Sequence, residues 1–569
     1  MRRVAIAAVL TAALYACSRP APGRPSPAAY PRTRAEQTNY LETSRYRDVV
    51  NFLDSLKKLR APVFIGSIGK TTEGRDIPFA IASRPLVSTP SEAKALGRPI
   101  VYVQANIHAG EIEGKEALLS LLRDLIFSNK PDALDSIVLI AVPIYNADGN
   151  ERFASQSVNR REQNGPELVG TRANAQGLDL NRDYVKAEAP ETRASLAMFN
   201  SWDPDVFVDL HTTDGSFHGY ALTYSPSLNP AAVFGGVYAR DSLLPVLRER
   251  MRTRHGFEVF DYGNFVSDEP GLVADTSVHE AWATYDARPR FGTNYYGVRG
   301  RIAILSEAYS HDSLERRVAS TYAFVSGILS LAAERSTAIR SLSARADSQS
   351  LAWGRSPDSV RMVPIRSELL STPRQLDVIK EDLEKTADSV LTQAGVPRGE
   401  RRTGRFRVIR MPVYDRFTST LDRLPPAAYV VPAADTAVLS LLRLHGIRVE
   451  KSDSAWTARG ESFVIDSITR NARIFQGHHE TSLQGRWIRG IQSLPAGSLI
   501  VSTAQPRAAL AVYLLEPESD DGFTTWNFFD GEMKVGGTYP VRRIFDLTRR
   551  RRGAAVRRSS AAASQTPNN

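Results

Sequence analysis

The stretch Ile100-Val101-Tyr102-Val103-Gln104-Ala105-Asn106-Ile107-His108-Ala109-Gly110-Glu111 decides how the chain is read. Val101, Val103 and Ile107 alternate with their neighbours as in a buried strand. Leu118, Leu119, Leu122, Leu125 and Ile126 then recur at helical spacing over Lys115 to Phe127. His108 and Glu111 therefore fall where a strand hands over to a helix. At three positions apart in a turn, an imidazole and a carboxylate lie close enough to grip one metal ion. His-x-x-Glu also arises by chance as two polar residues in a surface turn, so its weight depends on the rest of the chain.

Working outward, Val63 to Ser83 reads as a hairpin turning at Lys70 to Asp76, and Tyr46 to Leu59 as a helix before it. A buried strand is expected at Ile137 to Ile144, a helix from Pro190 to Ser201 and a strand at Val206 to His211. A helix over Leu243 to His255, a strand at Ile302 to Ser306 and a helix over Leu314 to Glu334 follow. Strands alternating with helices indicate an α/β sheet covered on both faces. Tyr145 to Tyr184, rich in Asn, Gly, Asp and Arg, is a loop region too long to be a mere connection. Residues 336–404, with Leu376, Ile379, Leu383 and Val390 at helical spacing, read as a helical connector. Residues 405–548 carry short β-type runs at Phe406 to Val413, Ala428 to Val431, Phe463 to Ile465 and Leu499 to Val501, with one helix at Thr436 to Leu444. They are expected to form a smaller, β-rich α+β domain.

Three strand ends finish on residues suited to zinc chemistry: His108 with Glu111, His211 and Glu307. In open α/β sheets, sites form outside the carboxyl ends of strands, so these four side chains can converge. Two histidines and a glutamate make a three-ligand zinc site with an open position. Glu307 is then the candidate general base, against the alternative of a buried glutamate paired with an arginine. His478-His479-Glu480 is not read as a second metal site, because adjacent strand residues point to opposite faces. Trp487, Trp526, Phe528 and Phe529 are expected in a core, and the acidic turn Glu516 to Gly522 as a solvated turn.

The chain resembles the carboxypeptidase A-like zinc metallopeptidase family. The likeness rests on a series in order: Glu73-Gly74-Arg75, His108-Ala109-Gly110-Glu111, Asn146-Ala147-Asp148-Gly149, Arg172-Ala173-Asn174 leading to Gly177-Leu178-Asp179-Leu180-Asn181-Arg182, His211 and Glu307. It covers roughly residues 38–335 and implies the family's mixed sheet. It also implies that His108, Glu111 and His211 hold one zinc ion, that Asp179 orients a zinc-bound histidine, and that Asn181 and Arg182 bind a substrate's terminal carboxylate. Arg172 would stabilise the oxyanion, with Arg160 and Arg161 as rivals. No secure match exists for the family's active-site tyrosine, and core packing is the expected use of Tyr295 and Tyr296. His218 is expected at the rim or in a hydrogen bond rather than as a fourth ligand. Asn-Ala-Asp-Gly and Asp183 depart from the more usual Asn-Pro-Asp-Gly and asparagine. The implied activity is removal of C-terminal residues from peptides by water on zinc. A zinc amidase acting on cell-wall peptides or acyl amino acids, and an inactive binding lipoprotein, stand as alternatives.

Met1-Arg2-Arg3 followed by an apolar Val4 to Tyr15 reads as an export signal, too short to span a bilayer. It ends at Cys17, the chain's single cysteine, in a lipobox-like Leu14-Tyr15-Ala16-Cys17. The expectation is a lipoprotein of the bacterial cell envelope, held to the membrane by its N-terminal lipid alone. A Pro-rich tether over residues 18–37 would separate the lipid from the folded part. A plain secreted protein is the alternative. Of the net charge of +10, Arg2, Arg3 and the six arginines of a basic tail at 549–569 account for eight, so the folded part is nearly neutral and no nucleic-acid partner is expected.

Overall fold

The computed structural model describes residues 29–547, except 129, 354–361 and 388–395. The expected signal segment, Cys17 and the basic tail from Arg549 lie outside the described residues. Eight strands build the central sheet: β1 Phe64–Lys70, β2 Asp76–Ala82, β3 Ile100–Ala105, β4 Val138–Val142, β5 Val206–Thr212, β6 Leu222–Pro226, β7 Val259–Asp261 and β8 Ile302–Ala308. Their order across the sheet is β1-β2-β4-β3-β5-β8-β6-β7. The middle four, β4, β3, β5 and β8, are mutually parallel, while β1, β2 and β6 join antiparallel. The sheet is therefore mixed. Because the middle four run the same way, their carboxyl ends lie side by side along one edge.

Every residue of β3, β4, β5 and β8 is buried, as expected for parallel strands covered on both faces. Alternate side chains serve opposite faces. Val101, Val103, Leu139, Val206, Val208 and Ile304 pack with helices α1 Tyr46–Lys58, α2 Glu113–Ile126, α4 Leu244–His255 and α5 Leu314–Glu334. Tyr102, Ile140, Phe207 and Ala303 face the other way onto α3 Pro190–Trp202, through Leu196, Phe199 and Trp202. Among the described residues no helix is long and apolar enough to cross a membrane.

The second face carries most of the C-terminal half as well. Its apolar cluster runs without a break from Tyr102 and Phe207 to Tyr429, Phe463, Trp526 and Phe529. That half holds a six-stranded sheet built on Ala428–Val431, a long hairpin of Trp456–Arg470 with Thr481–Leu494, and helices Thr436–Leu444 and Ala508–Leu515. A second hairpin, Arg374–Lys385 with Glu400–Tyr414, continues a small sheet begun by Asn264–Phe265 and Trp282–Ala283 of the first half.

Four expectations are corrected. The helical connector is a helix only over Ser336–Trp353; beyond it lie strands Val363–Leu369 and Arg374–Lys385. The helical spacing of Leu376, Ile379 and Leu383 is incidental, because pairing with Glu400–Tyr414 and burial of Val378 against Trp282 and Met411 decide the backbone. Val390 lies outside the described residues. The boundary expected between residues 404 and 405 falls inside that strand. The tether is shorter than residues 18–37: Tyr30 stacks on Phe127 at 4.1 Å, and Thr33 caps a helical turn at Arg34–Gln37 that buries Ala35. Finally, the acidic turn is not solvated. Glu516 and Asp521 are fully buried, because Arg543 and Arg290 reach them from distant segments.

Candidate metal centre and active site

Asn106 follows β3 with φ 64°, a left-handed value that asparagine tolerates better than most residues. Its amide donates to the carbonyls of Ala109 and Glu111, both at 3.2 Å, and so fixes the turn that carries His108. Gly110 is required there: a Cβ would lie 2.6 Å from Arg160 Cγ and 2.9 Å from the Gly170 carbonyl. His108 Nδ1 lies 2.9 Å from Glu111 Oε1, and His211 Nδ1, at the end of β5, lies 2.9 Å from Glu111 Oε2. One ligand atom from each of the three fits within 4.8 Å of the others, the only such group among the described residues.

The donor set fits zinc. Two imidazole nitrogens and a carboxylate converge with their buried backs held by other carboxylates, the arrangement that orients metal-bound histidines. His108 Nε2 contacts Asp179 Oδ1 at 2.9 Å. His211 Nε2 sits 3.1 Å from Asp209 Oδ2, without hydrogen-bond alignment. Burial pushes the Glu111 carboxyl up, but the charges of His108 and Arg160 and the hydrogen bonds from both histidines outweigh it and hold the group well below the usual carboxylate range. A deprotonated carboxylate is the form a metal needs.

β8 lies beside β5 in register, with Glu307 opposite His211. Glu307 is 8% exposed, and among the described residues its side chain makes no hydrogen bond or ion pair. Burial pushes its pKa well up, and the charges of Glu111 and Asp214 add to this while His211 opposes it. A cation at the triad would pull it down again by Coulomb attraction.

A cleft of about 260 Å³ collects the rest: Arg172, Asn181, Arg182, Tyr285 and Phe291 line it together with the triad and Glu307. Arg172 donates from Nε to Asp179 Oδ2 at 3.0 Å and stands 3.5 Å from Glu111. Of its rivals, Arg160 is buried behind the triad, donating to the Thr212 and Thr213 carbonyls, and Arg161 is exposed away from the cleft lining. Asn181 accepts from Gly292 N–H at Oδ1, which leaves its amide NH2 for a ligand. The Arg182 guanidinium stacks on Phe291 at 4.0 Å. The motif pieces also interlock: Asp148 accepts from Thr71 Oγ, Glu73 N–H and Arg75, while Asn146 donates to the Ile107 and Arg172 carbonyls.

Tyr295 and Tyr296 are core residues. His218 is 1% exposed, accepts from Tyr220 N–H and does not line the cleft, so it is the hydrogen-bonding histidine expected and not a rim residue. His478 pairs with Glu188, and Trp526 and Phe529 are core. Tyr285 went unrecognised in the sequence. Among the described residues its buried hydroxyl has no hydrogen-bond partner, and Glu307 is among the charges that raise its pKa, after burial itself. It sits in an irregular segment after Trp282–Ala283, and no periodicity marks it. Tyr262, whose hydroxyl donates to Asp214 Oδ2 at 3.2 Å, was missed for the same reason.

The zinc carboxypeptidase family model matches residues 49–240, a span that contains His108, Glu111 and His211 but not Glu307. Carboxypeptidase 2 of Trichophyton tonsurans is 23% identical over 84% of this chain and 81% of its own. Carboxypeptidase M of Mus musculus is 30% identical over 32% of this chain and 39% of its own. A metallo-carboxypeptidase from Burkholderia cenocepacia overlays 50% of this chain and 68% of its own at 18% identity, with a TM-score of 0.35. With the triad at the carboxyl edge of a mixed sheet and the motif series folded around one cleft, the chain is similar to the carboxypeptidase A-like zinc metallopeptidases, and residues 49–240 carry the match to the zinc carboxypeptidase family.

Proposed function

We propose that this zinc metallocarboxypeptidase releases single residues from the C-terminal end of peptides, with Glu307 as the general base. The observation that carries this reading is one cleft holding the triad, the arginines Arg172 and Arg182, and a buried Glu307 that is unpaired among the described residues. His108, Glu111 and His211 would hold the zinc ion, which would supply Lewis acidity there.

The remaining work falls to protein side chains. Arg182 offers a planar guanidinium, already oriented by Phe291, to a terminal carboxylate, and the Asn181 amide adds a donor beside it. A peptide anchored by that end presents its last amide bond to the triad. Glu307 takes the proton of the attacking water and can return it to the departing amine. Arg172, held in place by Asp179, donates to the oxygen on which negative charge develops. Removing that donor by Arg172→Ala is expected to lower kcat by about 10² to 10³ while zinc content is unchanged.

The reading is tested by incubating the purified protein with a peptide, the same peptide amidated at its C-terminus, and peptide-bearing cell-wall fragments. Products are identified by mass. Release of one C-terminal residue from the free-ended peptide only, lost on chelation and regained with zinc, is the expected result. Equal cleavage of the amidated peptide would overturn the roles of Asn181 and Arg182. Products from wall fragments alone would make the enzyme an amidase instead.

A further inference from the structure

The hairpin formed by Trp456–Arg470 and Thr481–Leu494 belongs to the C-terminal half, yet its tip lies against the catalytic cleft. Phe475 and His478 close the tip through reciprocal backbone hydrogen bonds of 2.8 and 3.0 Å. Between them Gln476 takes φ 50°, a left-handed value that a non-glycine residue keeps only where its surroundings over-determine it. The surroundings do so here. Gln476 Oε1 accepts the backbone N–H of Asp179 at 2.9 Å. His478 Nε2 meets Glu188 Oε1 at 3.0 Å, and Glu480 pairs with Arg290 at 2.7 Å and reaches Arg288 at 3.5 Å. The tip thus grips both segments that form the substrate side of the cleft, 179–188 and 286–292.

Asp179 is the residue on which the site depends most. Its Oδ1 serves His108 Nε2 and the Asn181 N–H, both at 2.9 Å. Its Oδ2 serves Arg172 Nε at 3.0 Å and stands 3.9 Å from Arg182. A rotation of this one carboxylate would disturb a ligand imidazole, the oxyanion arginine and the substrate-carboxylate pair together. Its backbone amide is fixed by an acceptor 297 residues away in sequence.

We infer that Gln476 is a positioning residue of the catalytic site, contributed by the C-terminal half and acting through Asp179. The inference rests on His108 being a zinc ligand. The C-terminal half is then a working part of the peptidase rather than an appendage to it. The amide oxygen of Gln476, and not merely its bulk, is the operative group.

Two replacements of nearly equal length separate oxygen from bulk in the full chain. Gln476→Met removes the acceptor, and Gln476→Glu keeps one. Three readouts apply: zinc affinity by competition with a chromogenic chelator, kcat on a free-ended peptide, and the thermal midpoint. Gln476→Met is expected to weaken zinc binding and to lower kcat by about tenfold each, the low end of what removal of an outer partner does. Its thermal midpoint is expected to hold, since the site is at a partly exposed hairpin tip. Gln476→Glu is expected to stay close to the unmodified enzyme in all three. Unchanged zinc affinity and kcat in Gln476→Met would overturn the inference, as would equal losses in both variants. An unmodified chain that binds no zinc would overturn the ligand assignment first, and this inference with it.

Discussion

Glu307→Gln is expected to lower kcat by about 10² to 10⁴ while leaving zinc content unchanged, the range a positioned proton-transfer group supplies. In barrier terms this is about 3 to 5.5 kcal/mol. Glutamine keeps the shape and the polarity of the side chain but cannot take a proton from water. The effect is expected to be large because neither carboxylate whose charge reaches Glu307 is free to substitute. Glu111 is engaged by both histidines and by Arg160. Asp214 accepts from the Tyr262 hydroxyl and has 54% of its side chain exposed, so water competes for it. Metal analysis of the pure variant, beside its turnover on a free-ended peptide, checks the result. Full turnover with zinc bound would place the base elsewhere. His211→Ala differs in kind, since it should lose zinc and turnover together.

The legibility of this site in sequence follows from where its residues sit. His108, Glu111, His211 and Glu307 stand at the ends of apolar β-branched strands, and the sheet brings those ends together whatever the loops do. That is why the triad and Glu307 could be read from pattern, and the central elements with them: β3, β5 and β8 begin within one residue of the expected positions. Asp179, Asn181 and Arg182 lie in a short 3-10 turn within a long loop region and could be placed only through the resemblance of a motif. Tyr285 has neither a strand nor a motif to mark it. The C-terminal half failed at another level. Ala508–Leu515 is apolar on every face because all eight residues are buried, so it carries no amphipathic period to announce a helix. Strand Arg374–Lys385 mimicked helical spacing. Glu516 and Asp521 looked like a solvated turn because the arginines that neutralise them are far away in sequence. Contacts between the halves, Gln476 with Asp179 above all, depend on tertiary placement that no local pattern encodes.

Those contacts carry the second large expected effect. Asp521→Ala is expected to destabilise the protein by about 3 to 5 kcal/mol, the cost of stranding one partner of a buried ion pair. Asp521 is fully buried, as is Arg290 but for 2% of its surface. The aspartate accepts from Arg290 N–H at 2.6 Å, from Arg290 Nε at 3.0 Å and from Trp526 Nε1 at 3.0 Å. Its removal leaves Arg290 with Glu480, whose side chain is 21% exposed, as the remaining carboxylate and leaves the indole N–H unpaired. An exposed pair such as Arg252 with Glu249 offers the contrast: both side chains are more than half exposed, and truncating either should leave stability nearly unchanged. Burial, rather than the number of charges, therefore decides the size of the effect. Denaturant unfolding of both variants measures it directly. If the loss comes from the stranded charge, adding Arg290→Met to Asp521→Leu should recover most of the stability, because replacing a whole buried pair by apolar groups is often close to neutral. If the double variant stays as unstable as Asp521→Ala, the pair is needed for the docking geometry itself, and zinc-supported turnover should fall with it because segment 286–292 forms one wall of the cleft.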